Sequence, residues 1–349
     1  MQKVLYISNI EVPYRTTFFN QLSKKCDLTV LYERKKSANR NVEWTSSVKS
    51  NYNIKYLSGI KIFKEYTIDF KILKFVLSKK YDNIILGCFN SPSQIIAIII
   101  MRILKKKYII NLDGEYFFEG HGIKKAIKRF FIKGATKYFV AGEQAKVKLE
   151  KYIEKEKIFM YHFSSLTDYE LKTNKKMTNK NLNNTVLVIG QYLDYKGLDV
   201  ALEVTKLDSN IRYKFIGSGG RSNILESKVR NLNLSNVEVI PFLRKEDLYK
   251  EYQQCKCVLL PSKKECWGLV INEAASFGCP IISTTGSGAA MELLEKKWIV
   301  DSGNFKLMYE KIVELDKIEY NRKKLLKTIE QYTIENNVKE TIEMLEDNK

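Results

Sequence analysis

Residues 261–280 read PSKKECWGLVINEAASFGCP and set two glutamates, Glu265 and Glu273, on either side of a Trp267-Gly268 step. On one continuous helix the eight-residue spacing is about 800° of rotation and roughly 12 Å of rise, which puts the two carboxylates on different faces. They converge only if Glu265 lies in a loop and a new helix starts after Gly268, running from Leu269 to Phe277. Free N–H groups at such a helix start form an anion site. A carboxylate beside it is a two-oxygen acceptor suited to paired sugar hydroxyls. Phosphate and sugar bound side by side point to a nucleotide-sugar.

The surrounding frame sharpens this reading. Glu-x7-Glu after Pro261-Ser262, then a helix, Gly278-Cys279-Pro280 and a strand IISTT (281–285), resembles retaining glycosyltransferase family 4. That resemblance implies an α/β GT-B fold: two Rossmann-like domains with parallel sheets facing a central cleft. It also implies that Glu265 faces the donor sugar, that Glu273 binds the ribose, and that the backbone at Gly268 and Leu269 meets the diphosphate or sugar. Where the family often has Phe-Gly, this chain has Trp267-Gly268. The plain alternative is a solvated helix start carrying two surface acids.

Composition agrees with an enzyme of about two domains. The chain has 349 residues, 44% hydrophobic and 28% charged. Its six cysteines are scattered without a C-x-x-C pair, so neither a zinc site nor a disulfide framework is indicated. Strand-like KVLYIS begins at residue 3, so no signal peptide is expected. The longest apolar run, Ile95 to Met101, falls far short of the ~20 residues that cross a bilayer. A cytoplasmic protein is expected.

Charge is unevenly spread. Of the net +19, residues 1–170 carry +15 and residues 171–349 carry +4. The segment GIKKAIKRFFIKG (122–134) sets Ile123, Ile127, Phe130 and Phe131 at helical spacing between Lys124, Lys125, Lys128, Arg129 and Lys133. Such a helix can lie in an anionic membrane surface, or be a core-facing helix with a solvated basic side. Peripheral association with the inner face of the cell membrane is the expectation. Nucleic acid is not, because no recognition motif or aromatic stacking platform accompanies the charge.

Two halves repeat one plan. Strand-like runs at 3–8, 27–32, 83–87, 107–112 and 137–142 alternate with helical stretches, and a second series follows at 185–190, 213–217, 237–242, 257–262 and 280–285. That alternation predicts parallel sheets covered by helices. The polar stretch KTNKKMTNKNLNN (172–184) reads as a linker. The expected domains are therefore 1–170, for the acceptor, and 185–330, for the nucleotide-sugar, joined by 171–184. The resemblance implies that the last helix, within 331–349, crosses back to the first domain.

Ligands on open parallel sheets sit at the carboxyl ends of the strands, so the loops there are the candidates. After TVLVIG come Gly190, Gln191 and Lys196, whose ammonium can neutralise a departing diphosphate. The family typically has arginine where Gln191 stands, and a neutral amide cannot replace its charge-assisted phosphate contact. Gly217 and Gly219 open the turn after YKFIG. Phe242-Leu243 occupy the place where the family's backbone meets the base. Gly286, Ser287 and Gly288 offer N–H groups for a phosphate nest. In the first half, Arg15 can meet a phosphate of donor or acceptor, and Asp113 a sugar hydroxyl. His121 reads as a loop residue and His162 as structural or inter-domain. Without an Asp-x-Asp pair, and with two histidines in all, no metal site is expected; no cofactor is expected either.

These readings combine into a retaining transferase. It would move sugar from a UDP- or GDP-sugar to a lipid-linked glycan in bacterial surface polysaccharide assembly, as capsule, exopolysaccharide or O-antigen. Lys196 and Glu265 would carry the chemistry. A sugar-nucleotide epimerase on the same fold, or a non-catalytic partner subunit of a transferase, are the alternatives, since fold does not fix function.

Overall fold

The computed structural model describes residues 1–35, 48–63, 66–87, 91–114, 122–177, 183–218 and 221–347. Gly219 and His121 lie outside these, as do the side chains of Ile123, Lys124, Lys125, Ile127 and Lys128. The chain forms two compact units: Met1–Phe163 with Ile334–Lys349, and Ser164–Thr333.

In the first unit the strands are β1 (Lys3–Ser8), β2 (Asp27–Tyr32), β3 (Asn53–Tyr56), β4 (Ile60–Phe63), β5 (Tyr66–Ile68), β6 (Asn83–Leu86), β7 (Ile109–Leu112), β8 (Lys137–Ala141) and β9 (Ile158–Tyr161). Seven of them make one sheet in the order β3-β2-β1-β6-β7-β8-β9, and β4 and β5 form a separate pair. The second unit holds β10 (Thr185–Ile189), β11 (Arg212–Ile216), β12 (Val237–Ile240), β13 (Cys257–Leu260), β14 (Ile281–Thr284) and β15 (Ile299–Val300), ordered β12-β11-β10-β13-β14-β15. Every pairing within the two large sheets is parallel. Continuous apolar runs dictate this: Val4 to Ile7 and Val186 to Ile189 are buried throughout. Strands covered on both faces demand such runs.

In each sheet the strand order reverses beside the first strand, between β1 and β6 and between β10 and β13. The carboxyl ends of the strands on either side of such a reversal are where ligands of doubly wound sheets bind.

The stretch read as a linker is partly helical. Residues Asp168–Lys176 form a helix of the second unit, so the change of unit falls at Phe163/Ser164 rather than at 171–184. Its sequence hides this because Leu171 and Asn174 are the buried positions along an otherwise polar surface. The capping box Thr167–Glu170 was the legible signal.

The final helix, Ile334–Glu346, packs on the helix Pro13–Leu22 and on β9, within the first unit. Glu340 accepts the His162 backbone N–H at 2.9 Å, and its other oxygen lies 2.5 Å from His162 Nδ1. Lys137 Nζ donates to the carbonyls of Met344 and Asp347. His162 is thus a tie between strand end and helix.

The basic segment is a helix, Gly122–Ile132. Ile132 is buried and Phe131 packs against the core, whereas Phe130 faces outward with the Arg102 guanidinium 4.0 Å above its ring. Among the described residues no helix is long and apolar enough to cross a membrane.

Candidate active site

Glycines shape the loops at the carboxyl ends of the second unit's strands. At the end of β10, Gly190 (φ +156°) passes its N–H to Ile216 O, and at the end of β11, Gly217 (φ +88°) passes its own to Ile240 O. A Cβ on either would meet nothing nearer than 3.9 Å. Backbone direction, not crowding, demands glycine there. Their nearest neighbours form a series, with Gly217 beside Gly190 and Gly190 beside Lys196.

Lys196 closes a short 3₁₀ turn, Asp194–Lys196, that Gly197 ends in the left-handed region at φ +70°. A Cβ at Gly197 would stand 2.1 Å from the Pro261 carbonyl oxygen, so the loops after β10 and β13 are in backbone contact. The Lys263 N–H adds a hydrogen bond to Tyr195 O at 2.8 Å. This contact delivers Lys196 Nζ onto Glu265 Oε2. Ser262 Oγ lies 3.4 Å from the same oxygen. With 19% and 16% of their side chains exposed, the pair is shielded enough for its charges to be felt by a ligand.

Glu265 lies in a loop, its N–H donating to Gly286 O at 2.7 Å. Trp267 anchors that loop: its ring is 2% exposed, stacked on Tyr332, and its Nε1–H donates to Asn272 Oδ1 at 2.8 Å. Gly268 then turns at φ +105° and the helix Leu269–Ser276 begins, so the acid-loop, acid-helix arrangement expected from the spacing is present. A side chain at Gly268 would press on Ser287 Oγ at 2.7 Å. Gly288 similarly abuts Cys266 O, and the Ala289 N–H binds Trp267 O.

Glu273 sits in that helix with Ser165 Oγ donating to one oxygen at 3.1 Å and Tyr252 OH to the other at 3.3 Å. Burial pushes its carboxyl above the ordinary carboxylate range, partly opposed by the Lys245 charge and by those two hydrogen bonds. The folded state therefore keeps its proton to higher pH than the unfolded chain, and stability falls as pH rises through that window. Glu273→Gln should accordingly melt higher than the wild type at pH 8 without ligand. The gap should close below about pH 4, where the unfolded carboxyl is also protonated. Thermal melts at both pH values measure it.

The phosphate nest expected at Gly286, Ser287 and Gly288 needs revision. Two of its three N–H groups are engaged within the loop, Gly286 donating to Thr284 Oγ1 and Ser287 to Thr284 O. Gly288 instead opens a short helix, Gly288–Leu293, and buttresses the Trp267 loop. Phe242 and Leu243 follow β12, half-buried, while Gln191 is half-buried after Gly190 with its carbonyl accepting the Leu193 N–H.

The first unit brings Arg15 and Asp113 together. Arg15 Nη2 donates to Asp113 Oδ2 at 2.5 Å, so the reading of Arg15 as a phosphate contact gives way to an ion pair. Tyr6, Asn111 and Tyr161 complete the cluster, joined by the hydrogen bonds Tyr6 OH to Asn111 Oδ1 (2.5 Å) and Tyr161 OH to Asp113 Oδ1 (2.7 Å). Sequence reasoning missed these three, and also Ser165 and Tyr252. Each lies in an ordinary-looking strand, loop or helix, and the bonds of Tyr6 to Asn111, Tyr161 to Asp113 and Ser165 to Glu273 span 105, 48 and 108 residues. Among the described residues no group of three or more His, Cys, Asp or Glu is placed to hold a metal ion.

Residues 168–335 match the family model described as glycosyl transferases group 1. An uncharacterized glycosyltransferase of Methanocaldococcus jannaschii is 23% identical over 282 residues, 78% of this chain and 77% of that protein. The O-antigen chain mannosyltransferase C of Escherichia coli is 31% identical over 103 residues, 29% of this chain and 28% of its own. Anabaena HepE, solved with UDP and glucose, shares the fold at a TM-score of 0.69 and 15% identity, over 98% of this chain and 100% of that one.

Proposed function

We propose, from the premise of a glycosyltransferase that the group 1 match and these relatives support, that the chain transfers a sugar from a nucleoside-diphosphate sugar to a glycan acceptor. The observation that carries this is the Lys196–Glu265 pair, set among Gly190, Gly217 and Gly268 at the carboxyl ends of the second unit's strands, with Glu273 in the adjoining helix. A diphosphate needs a cation at the bond that breaks, and Lys196 is the shielded cation there. Glu265 accepts from sugar hydroxyls, and Glu273 holds the ribose. In HepE, UDP and glucose occupy the same fold, which favours a uridine nucleotide. Retention of anomeric configuration, with no resident metal, belongs to the same proposal.

The acceptor is placed in the first unit. Its excess of basic residues suits an anionic membrane surface and so a lipid-linked glycan. The O-antigen mannosyltransferase relative points the same way, toward surface polysaccharide assembly.

A thermal-shift panel of UDP-, GDP- and ADP-sugars on wild type and Glu273→Ala tests the donor reading, because a ligand specific to the folded state raises its melting temperature. One nucleotide class should stabilise the wild type by several degrees at saturation and leave Glu273→Ala unmoved. Silence across the panel from a well-folded wild type sinks the donor reading in favour of a non-catalytic partner subunit.

A further inference from the structure

The cluster in the first unit is sealed on all members but one. Tyr6, Asn111 and Tyr161 are 2%, 3% and 1% exposed and Arg15 is 7% exposed, while the Asp113 side chain keeps 32% of its surface in solvent. Burial opposes charge on Arg15, but Asp113 and then Tyr6 outweigh it and hold the guanidinium firmly protonated. Burial likewise raises the Tyr6 and Tyr161 phenols above their ordinary range, so both keep their hydrogens.

From that starting point the hydrogen-bond directions follow without choice. A guanidinium only donates, so at 3.3 Å Arg15 Nη1 gives its hydrogen to Tyr6 OH, and the Tyr6 hydrogen goes on to Asn111 Oδ1. That fixes the Asn111 amide with its NH₂ toward three acceptors, of which Tyr161 OH (2.9 Å) and Asp113 Oδ1 (3.1 Å) are nearer than the Phe139 carbonyl (3.4 Å) and take its two hydrogens. The Tyr161 oxygen is then an acceptor, and its own hydrogen goes to Asp113 Oδ1. Oδ1 thus receives two donors. Oδ2 receives Arg15 alone among the described residues, and a carboxylate oxygen has room for a second donor.

We propose that Arg15, Tyr6, Asn111 and Tyr161 form a one-way relay that positions Asp113 Oδ2 to accept a sugar hydroxyl. Arg15 acts here as a positioning residue, since it is 7% exposed and its guanidinium donates to Tyr6 OH and Asp113 Oδ2. The strand ends agree with this, since Asp113 directly follows β7 at the carboxyl edge of the sheet. That the ligand is a sugar rests on the proposed function. The hydroxyl is assigned to the acceptor, with the donor sugar as the other source of the same chemistry.

Ligand-observed NMR with methyl glycosides alone reads the acceptor arm. UDP-glucose against UDP, and GDP-mannose against GDP, read the donor arm. Tyr161→Phe keeps the ring stacked on Phe139 and removes one donor to Asp113. It should weaken glycoside binding about 5- to 10-fold, the worth of one hydrogen bond. Tyr6→Phe should weaken it too, although that hydroxyl does not bond to Asp113, an effect that loss of a local packing contact would not produce. Asp113→Asn, which exchanges an acceptor for a donor, decides the matter if a tyrosine variant unfolds. Weakening confined to the nucleotide-sugars would move the hydroxyl to the donor and overturn the acceptor assignment. Glycoside binding unchanged in Tyr161→Phe and Asp113→Asn, or absent from the wild type, overturns the proposal. A wild type that binds glycosides but no nucleotide removes the donor reading and leaves the relay standing.

Discussion

Lys196→Met should lower turnover of the donor identified by the panel about 10²- to 10³-fold, the usual loss when a group stabilising developing negative charge is removed. The effect is large because Lys196 is the cation seated on Glu265. Lys263 is exposed on the facing loop, and residue 191 is a neutral glutamine. Stability behaves differently. Lys196 and Glu265 are mutually neutralised while shielded, so removing the lysine alone leaves a carboxylate without its partner, at a cost of about 1–3 kcal/mol. Adding Glu265→Gln should recover most of that stability and none of the turnover. A melting series and a nucleotide-release assay on the two single variants and the double separate the roles. If Lys196→Met retained turnover within about threefold, the leaving-group assignment would be wrong.

Gly197→Ala should be the most damaging methyl in the second unit. The residue holds φ +70°, where a side chain costs on the order of 1 kcal/mol. The new Cβ would also overlap the Pro261 carbonyl, a backbone atom that cannot rotate away. Overpacking of this kind costs typically 1–3 kcal/mol. Together these give roughly 2–4 kcal/mol and, for a unit of this size, a melting temperature lower by about 5–15 °C. Since the same contact sets Lys196 against Glu265, turnover should fall even at temperatures where the variant is folded. Gly190→Ala, with open space around its Cβ, would show the strain without the collision and serves as the comparison.

How much was legible followed from how local each feature is. The Pro261–Pro280 frame carries its own punctuation: a glycine at the helix start, an acid before it, an acid one turn and a half beyond, and a Gly-x-Pro exit. Hence the loop–helix geometry of Glu265, Gly268 and Glu273 could be read from one stretch. The strands β1, β2, β10 and β13 were equally plain as apolar runs. By contrast β3 and β9 have polar or half-buried residues within them and β15 is two residues long, so periodicity alone does not expose them. Partnerships across the chain left no mark at all. Arg15 and Asp113, chosen separately as ligand contacts, are 98 residues apart and bind each other. Ser165 reaches Glu273 across 108 residues. Such pairs are properties of the folded sheet order, and a single sequence has no local signal for them.

The helix Ile334–Glu346 gives the first unit a particular assembly order. Its docking partners, His162, Lys137 and the helix Pro13–Leu22, are all made before residues 164–333, whereas the helix itself comes after them. On a translating ribosome the first unit must therefore wait, with an apolar surface uncovered, until the whole second unit has been synthesised. The second unit, contiguous in the chain, is free to fold first. Nascent-chain capture should find the amino-terminal half bound by chaperones until residue 346 has cleared the exit tunnel. A release of those chaperones before then would mean that the sheet is stable without its closing helix.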